Sequence, residues 1–458
     1  MLGNQLRNWV IATICLLMLG AVCLHPASKD SNTTSMSVRK FPSGNVISPP
    51  STMSSTSYLI GHFEYQNMQS GNWMPLAFAQ VDIRYTNNTL IDRTYTDIYG
   101  NFTSAIDVPP SGATIKCSVS TSNPRVMVLN LETNRTYSAD TLSVFVEPNQ
   151  NKTITQQFLD ERKWVTVFSL HSGLNKGWYY IYNTVGSDVL GARAFYPYGQ
   201  IPHYVQEDKC MYLPVDTYNR TDTILHEYGH YSMHFMFNWH WPTNATGDYP
   251  SVYEVVNRTM AWTEGWAYYF PLAVKNSGQY DGLGGTYDFE NQSWATLGWA
   301  DSDSVIGRVA GALFDLYDLQ NDAPPWNYER QVSGGFNRTW QIMKTDEPQD
   351  FLGFWVRWNG TYYSHPKSDS DLYNQTDWTN TLMSIFQNSI DYRGLGDVDA
   401  CGCVTGTDIG NVAWRFGAWE GPPPSPRWDY LYDINHNGHI DGNDVAIASQ
   451  HFGESYDC

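Results

Sequence analysis

Positive charge is scarce in this sequence. The chain of 458 residues has 27 Lys and Arg against 46 Asp and Glu, a formal net charge of −19. Proteins that bind nucleic acid need a basic surface, so this balance excludes that class of partner. Glutamate is scarce as well, because the 46 acidic residues are 33 Asp and 13 Glu. Aspartate favours turns, helix caps and cation-binding loops over helix interiors, which predicts a loop-rich chain containing β-structure.

Cysteine is equally sparse, and seven residues exclude a fold held together mainly by disulfide bonds. Two of the seven lie in an apolar N-terminal stretch, which leaves Cys117, Cys210, Cys401, Cys403 and Cys458. One or two bridges among these five are compatible with an oxidising compartment. Cys458 is placed to return to Cys401 or Cys403, and spacing does not decide between them.

Long apolar runs are missing apart from one at the N-terminus. This run extends from Trp9 to Leu24, follows Arg7 and precedes Pro26 and small residues. A positive start, a largely apolar run of 16 residues and a small-residue exit are typical of a secretory signal, here residues 1–27. The alternative is an uncleaved segment that would attach the chain to a membrane. Both interpretations predict a secreted or cell-surface protein.

Glycosylation signals agree with export. Residues 28–56 are rich in Ser, Thr, Pro and Asn, which predicts a flexible linker. The acceptor pattern Asn-x-Ser/Thr then recurs along most of the chain. Its asparagines are Asn32, Asn87, Asn101, Asn134, Asn151, Asn219, Asn244, Asn257, Asn291, Asn337, Asn359 and Asn374. This density predicts a glycoprotein with glycans on its surface loops.

Short strands are predicted between residues 57 and 160. Ala77 to Tyr85 alternates with period two, and Leu90 to Tyr95 is predicted to pair back onto it. The Thr-Asp-x-x-Gly-x-Phe turn that begins at Thr96, together with Pro75-Leu76-Ala77, resembles carboxypeptidase regulatory-like domains. The resemblance implies an all-β sandwich that acts as a passive module.

The central part of the chain carries the predicted chemistry. A helical pattern begins with Thr221 or Asp222 as the predicted N-cap. On that helix His226 and His230 are one turn apart and project from one face, which suits two nitrogen ligands of zinc. Glu227 follows the first ligand, where it can act as general base towards water and then pass the proton to a leaving amine.

A third zinc ligand is predicted in the next helical stretch. Glu264 is the one acidic residue in the apolar run from Met260 to Phe270. A buried carboxylate is costly unless it is paired or binds a metal, so Glu264 is the predicted ligand. Glu254 remains the alternative carboxylate.

The residues after His230 exclude one class of zinc peptidase. The metzincin pattern needs Gly three and His six residues later, where this chain has Met233 and Met236. In the HExxH helix and the Glu-Gly-x-Ala sequence at Glu264, residues 161–393 instead resemble the gluzincins, the thermolysin-like and aminopeptidase-like zinc peptidases. The resemblance implies an α+β zincin-type domain that cleaves a polypeptide substrate.

Supporting residues are assigned by the same resemblance. A ligand histidine needs an acceptor that orients it, and Asp315 or Asp318 is the predicted one. Arg308 or Tyr317 is a candidate oxyanion stabiliser, with helix packing as the alternative. Cys210–Leu213 is the predicted edge strand that pairs with an extended substrate.

Two twelve-residue loops near the C-terminus have the spacing of calcium ligands. The predicted ligands of the second loop are Asp433, Asn435, Asn437, His439 (through its carbonyl), Asp441 (through water) and Asp444. Those of the first loop are Asp397, Asp399, Cys403 and Asp408. The first loop is predicted to bind more weakly because Cys401 stands at the fifth position, and a thiol is a poor calcium ligand.

Each loop leads into a short helix, and this duplication over residues 394–458 resembles type I dockerin domains. The resemblance implies an EF-hand-like calcium-binding module with a cohesin-type partner. We expect calcium to fold only this tail, so that a chain ending near Tyr392 keeps its activity.

These observations predict a multidomain fold: an all-β sandwich, an α+β zincin-type peptidase domain and a small α-helical dockerin-like EF-hand pair. The predicted function is that of a secreted metallopeptidase that uses Zn²⁺ and also binds Ca²⁺. The alternative is a non-catalytic scaffold or surface protein whose function is cohesin or cell-surface binding.

Overall fold

The computed structural model describes residues 56–456, apart from 68–69, 160–163, 244, 246–250, 284, 295, 319–334 and 364–374. Every described residue belongs to one compact unit. The predicted signal peptide, the predicted linker up to residue 55 and the predicted Cys458 bridge lie outside the described residues. None of the described helices is long and apolar enough to cross a membrane.

Strands dominate the N-terminal part of the described chain. They are β1 Thr56–Gln66, β2 Trp73–Pro75, β3 Gln80–Tyr85, β4 Leu90–Tyr95, β5 Asn101–Asp107, β6 Ala113–Ser120, β7 Val126–Asn130, β8 Arg135–Thr136, β9 Ser138–Asp140, β10 Val144–Val146 and β11 Lys152–Phe158. One sheet has β1 parallel to β11 and antiparallel to β2 and β5. A second sheet has the order β10-β6-β3-β4, with β9 beside β6. Every second residue of β5 is buried, so one face of this strand lies in the core.

A third sheet combines strands from both sides of residue 160. It contains β12 Ala192–Phe195, β13 His203–Val205 and β14 Cys210–Tyr212, in the order β13-β14-β12-β7-β8. β7 runs parallel to β12, with Val126 opposite Ala192. The predicted sandwich segment therefore supplies two strands of the sheet that precedes the HExxH helix.

Helices form most of the rest of the central part. They are α1 Trp164–Val185, α2 Thr221–Met236, α3 Arg258–Lys275, α4 Ile306–Asp315, α5 Gly335–Asp346, α6 Phe351–Tyr363 and α7 Gln375–Gln387, with the hairpin β15 Gln279–Gly282 and β16 Gly285–Asp288 after α3. α2 and α3 approach so closely that a Cβ on Gly229 would lie 3.0 Å from the Cα of Ala267. Trp262 and Trp266 of α3 are fully buried, so this helix lies in the core.

Local interactions define both ends of α3. The side chain of Asn257 accepts a hydrogen bond from the backbone N–H of Met260 (2.8 Å), as an N-cap does. Asn276 ends the helix in the left-handed conformation, with φ of 52°. Between these ends, a Cβ on Gly265 would meet Val309 of α4 at 2.5 Å. α3 is therefore held between α2 and α4.

The C-terminal tail repeats one small unit. It contains α8 Gly406–Trp414, β17 Ala418–Trp419, β18 His439–Ile440 and α9 Gly442–Gln450, with β17 paired to β18. Both helices begin with a capping box, centred on Thr405 and Asp441. Val398, Val412 and Ile440 are buried in the tail's own small core.

Candidate active site

The start of α2 is attached to neighbouring elements. Asp222 accepts hydrogen bonds from Lys275 Nζ (2.5 Å) and from the backbone N–H of Asp281 (2.7 Å). The N-cap residue is Arg220, and its side chain makes no cap hydrogen bond. The predicted capping role of Thr221 or Asp222 is therefore wrong, since tertiary partners occupy the carboxylate of Asp222. These contacts instead set α2 against the end of α3.

Three side chains of α2 and α3 converge. The Nε2 atoms of His226 and His230 lie 3.3 and 3.5 Å from Oε2 of Glu264. The two imidazole rings are nearly perpendicular (89°), with centroids 4.8 Å apart. One ligand atom from each residue lies within 4.8 Å of the other two. Glu254 is exposed and outside this cluster, so the geometry favours Glu264 as the third ligand.

Charge pairing stabilises this cluster against its burial. Burial raises the pKa of the Glu264 carboxyl, but the two imidazoles outweigh it and hold that pKa well below its usual range. Burial lowers the pKa of His230, whereas the charge and hydrogen bond of Glu264 bring it above the usual value. Each partner thus favours the charged form of the other.

Glu227 is buried beside this cluster, with 3% of its surface exposed. Its Oε2 atom has no hydrogen-bond partner among the described residues. Burial raises the pKa of Glu227, and the positive charges of His226 and His230 oppose that rise. A raised pKa brings a carboxylate closer to the range in which a general base works at neutral pH.

Aromatic side chains pack against the rings of both predicted ligand histidines. Tyr268 packs edge-on against His226 at 4.5 Å between centroids, and Trp241 lies 5.9 Å from His230. The buried Nδ1 atoms of both histidines have no partner among the described residues. The predicted orienting role of Asp315 or Asp318 is therefore wrong, and Asp315 instead accepts from Asn388 (2.6 Å). In the sequence, the only sign of these contacts is that many Tyr and Trp residues lie near the HExxH motif.

The candidate oxyanion residues are used in packing. Arg308 is fully buried and donates to the carbonyls of Ser293 (2.7 Å) and Ala300 (3.1 Å). The hydroxyl of Tyr317 donates to the carbonyl of Ala273 (3.1 Å). The helix-packing alternative is therefore the one that the structure supports for both residues.

The edge strand beside the site is β13. β14 lies between β12 and β13, so the prediction that Cys210–Leu213 forms the edge is wrong. The chain reverses after Val205 and lays β14 inside β13. Tyr204 joins this edge to α2 through a hydrogen bond with Nδ1 of His234 (2.8 Å). β13 packs directly against α2, which places this strand along the border of the site.

Backbone N–H groups of the second predicted calcium loop point at the carboxylate of its first residue, Asp433. The carboxylate of Asp433 accepts from the backbone N–H groups of Asn437 (3.2 Å) and Gly438 (2.8 Å). Asp444 closes the loop by accepting from Ile434 (2.8 Å). Burial, together with the nearby charge of Asp444, raises the pKa of Asp433. A bound cation would relieve this cost, so the loop fits a divalent cation.

The first loop repeats this arrangement. The carboxylate of Asp397 accepts from the N–H groups of Cys401 (3.0 Å) and Gly402 (2.8 Å), and Asp408 accepts from Val398 (3.1 Å). Burial and the neighbouring carboxylates raise the pKa of Asp397 to about 6. Gly402 has φ of 88°, the left-handed conformation that this turn demands of its sixth residue.

The remaining predicted loop ligands are placed as follows. The oxygens of Asn435 and Asn437 accept backbone hydrogen bonds inside the second loop, and Asp441 caps α9. His439 is exposed, and the carbonyl of Cys403 accepts from the thiol of Cys401 (3.2 Å). The oxygens of Asp397 and Asp399 and the sulfur of Cys401 lie within 4.8 Å of one another.

Comparisons with known proteins bear on the central part of the chain. Residues 200–376 match the family model described as the mycolysin C-terminal domain, a segment that contains His226, Glu227, His230 and Glu264. No curated protein matches the chain. Among solved structures, a 9R-lipoxygenase from Cyanothece PCC8801 is 12% identical over 26% of this chain and 22% of its own, at a TM-score of 0.16, which carries no argument.

The matched segment is less than half of the chain and leaves out the N-terminal sheets and the tail. Its match supports a peptidase of the thermolysin-like kind.

Proposed function

We propose that this protein is a secreted zinc-dependent peptidase in which His226, His230 and Glu264 hold the metal and Glu227 is the general base. The observation that carries the proposal is the convergence of two imidazole nitrogens on one carboxylate oxygen at 3.3 and 3.5 Å. The mycolysin match over the same segment supports peptidase function in general.

The donor set suits zinc. Two neutral imidazoles and one carboxylate form the three-ligand set of many catalytic zinc sites, whereas calcium and magnesium prefer oxygen alone. The convergence of two buried histidines, His226 and His230, on the partly exposed Glu264 is what a cation among them would require. Bound there, zinc would supply Lewis acidity towards water and the scissile carbonyl.

Glu227 carries the proton in this proposal. It lies next to His226 in sequence, is almost fully buried, and has a raised pKa because of that burial. In its anionic form it removes a proton from the attacking water, and the protonated carboxyl then donates to the leaving amine. Burial excludes bulk water from this carboxyl and makes the proton easier to retain between the two steps.

A glutamine at position 227 tests this role. Glu227→Gln should retain zinc, because the ligands are unchanged, but lose about 10²–10⁴-fold in kcat/KM because the base is absent. Zinc content by mass spectrometry and hydrolysis of casein and of a dipeptide measure the two effects. Glu254→Gln, the same change at an exposed site, is the control. A Glu227→Gln enzyme with wild-type activity would exclude this mechanism.

We also propose that the tail is a dockerin-like calcium-binding domain. Its loops present buried carboxylates at repeat-related positions, Asp397 and Asp433, in the same pattern of backbone hydrogen bonds. Phe416 and Phe452, also related by the repeat, are 55% and 62% exposed. Exposed aromatic rings at paired positions favour a protein partner of the cohesin type.

Export and glycosylation complete the proposal. The acceptor asparagines whose burial is described lie at the surface or are half-buried, as glycan attachment requires. They are Asn87, Asn101, Asn134, Asn151, Asn219, Asn257, Asn291 and Asn337. Mycolysin-like peptidases are typically secreted, which agrees with secretion of this protein or its display at the cell surface.

A further inference from the structure

The tail packs against the peptidase segment around Arg393. The guanidinium of Arg393 lies 4.1 Å from the ring centroid of Phe386, which belongs to α7. Its Nη1 donates to the carbonyls of Val398 and Leu431, both at 3.1 Å. These two carbonyls belong to the tail, in the first predicted calcium loop and just before the second. The buried guanidinium of Arg393 thus connects both halves of the tail to the end of the peptidase segment.

The second predicted calcium loop makes a direct contact of its own. The ring of His436 stacks on the indole of Trp294, with centroids 4.3 Å apart and planes 14° apart. Trp294 is held in place by donating to the carbonyl of Phe386 (2.7 Å). Nε2 of His436 also lies 3.8 Å from the carboxylate of Asp391. The loop therefore touches the peptidase segment through a side chain that has a defined orientation.

The shape of the loop determines where that ring points. His436 is the fourth residue of the loop, a position that supplies no ligand, and it has φ of 53°. The residues on either side of it, Asn435 and Asn437, are both predicted ligands. Because a cation would draw these two side chains inwards, it would hold His436 in its outward, stacked orientation.

Trp294 belongs to a loop that leads back to the candidate zinc site. This loop connects β16 to α4, and Arg308 fastens it through the carbonyls of Ser293 and Ala300. At its start, Phe289 packs on Tyr268 at 5.7 Å between ring centroids. Tyr268 packs in turn on His226. The loop backbone from Trp294 to Phe289, followed by the packed rings of Phe289 and Tyr268, thus connects the stacked tryptophan with the ring of His226.

An open space interrupts this interface. A cavity of about 510 Å³ lies beside the stack, lined by residues that include Trp294, Asp391, Arg393, Gly396, Ile434 and His436. Because side chains do not fill this space, the packing of the second loop on the peptidase segment depends on the contacts that border it. Loss of the His436 ring should therefore weaken the attachment of the second loop.

We propose that the second calcium loop is a brace for the zinc site: calcium held by Asp433–Asp444 fixes His436 on Trp294 and thereby strengthens zinc binding at His226. The proposal rests on the proposed function, since it takes calcium in the tail and zinc in the peptidase segment as given. It also opposes the expectation that the tail and the enzyme are separable.

Thermodynamic linkage provides the test. In the full chain, saturating calcium should tighten zinc binding, measured by competition with a chromogenic zinc chelator, by roughly fivefold or more. Saturating zinc should tighten calcium binding, measured by titration calorimetry, by the same factor, because coupling of binding is reciprocal. Neither readout depends on hydrolysis.

The decisive variant is His436→Ala, and its control is Gln450→Ala. Gln450 is exposed at the end of α9, the helix that follows the same loop, and is not among the predicted calcium ligands. His436→Ala should still bind calcium and zinc yet lose most of the coupling, whereas Gln450→Ala should keep it. Trp294→Ala, which removes the other ring of the stack, should lose the coupling as well.

The possible results separate the two proposals. If both metals bind to the wild-type chain without coupling, or if His436→Ala remains coupled, the brace is wrong and the peptidase proposal stands. A chain that binds zinc but no calcium overturns the brace together with the calcium-binding tail. A chain that binds no zinc overturns the proposed function itself.

Discussion

Glu264 decides whether the cluster on α2 and α3 is a metal site. It is the one carboxylate that both imidazoles face, and its side chain retains 26% exposure. Glu264→Ala should lower zinc affinity by more than the roughly 10–100-fold that loss of an outer-shell partner costs, since a direct ligand disappears. Equilibrium dialysis with zinc measures the change.

Glu254→Ala is the matched control, because this glutamate is exposed and lies outside the cluster. It should bind zinc as the wild-type chain does. The assignment of Glu264 as the third ligand is wrong if the two variants retain zinc equally well.

For single residues, the sequence predicted local geometry better than it predicted tertiary hydrogen-bond partners. The spacing of His226 and His230 within one helix follows from helical geometry, and the cost of a buried charge indicated Glu264. The partners of Asp222 and Asp315 could not be predicted, because Lys275 and Asn388 are brought to them only by tertiary packing. A carboxylate near a motif therefore predicts some partner without naming it.

Among the elements, the contact of α2 with α3 sets the distance between the proposed zinc ligands. Gly229 lies between the two proposed ligand histidines, and a Cβ there would meet the backbone of Ala267 at 3.0 Å. Gly229→Ala should push the helices apart, destabilise the fold by about 1–3 kcal/mol through overpacking, and weaken zinc binding. Denaturant unfolding and zinc competition measure the two effects.

The control is Gly410→Ala in α8, where an added Cβ meets nothing within 4 Å. There the higher helix propensity of alanine should be neutral or stabilising, by up to about 1 kcal/mol. Unchanged zinc affinity in Gly229→Ala would mean that close approach of the two helices does not position the ligands.

The positions of strands in the sequence were predicted better than the order of the strands in a sheet. β4 spans the predicted residues Leu90–Tyr95, because period-two alternation and a turn are visible locally. The order of β13 and β14 was not predictable from such signals. Three-residue strands carry little periodicity, and which of them forms the edge depends on pairing with distant residues in β12.

For the whole molecule, acid stability is set partly by His171. This residue is fully buried in α1, next to the amides of Asn123 and Asn175. Burial lowers the pKa of His171 to about 3. When the pH falls below about 6.5, the ordinary pKa of a histidine, His171 takes up a proton in the unfolded chain but stays neutral in the folded chain. The contribution of His171 to stability should therefore be constant above about pH 6.5 and be lost progressively as the pH decreases towards 3.

Denaturant unfolding of the metal-free chain between pH 4 and 8 measures this dependence, with a contribution on the order of a few kcal/mol. His171→Gln removes the titrating ring, so this variant should lose less stability on acidification than the wild type. His240→Gln, at a side chain that is 73% exposed, should retain the wild-type dependence. Identical pH profiles for all three chains would contradict the role of His171.

Domain boundaries were the least predictable feature at this scale. The change from strands to helices near residue 160 is visible in the sequence, but β7 crosses it to pair with β12. Arg125 also forms an ion pair with Asp188 (2.9 Å). Composition indicates where one kind of element stops, whereas sheet pairing depends on contacts between residues that are far apart in the chain.

The position of β7 has a consequence for biosynthesis. Its neighbour β12 begins at Ala192, more than 60 residues after Val126, and α1 lies between them. At about 5–20 residues per second, a ribosome makes β12 several seconds after β7. During that interval one edge of β7 has no partner from its own sheet, and an unpaired edge invites association with other chains. Slow translation of residues 131–191 should therefore increase aggregation of the nascent protein.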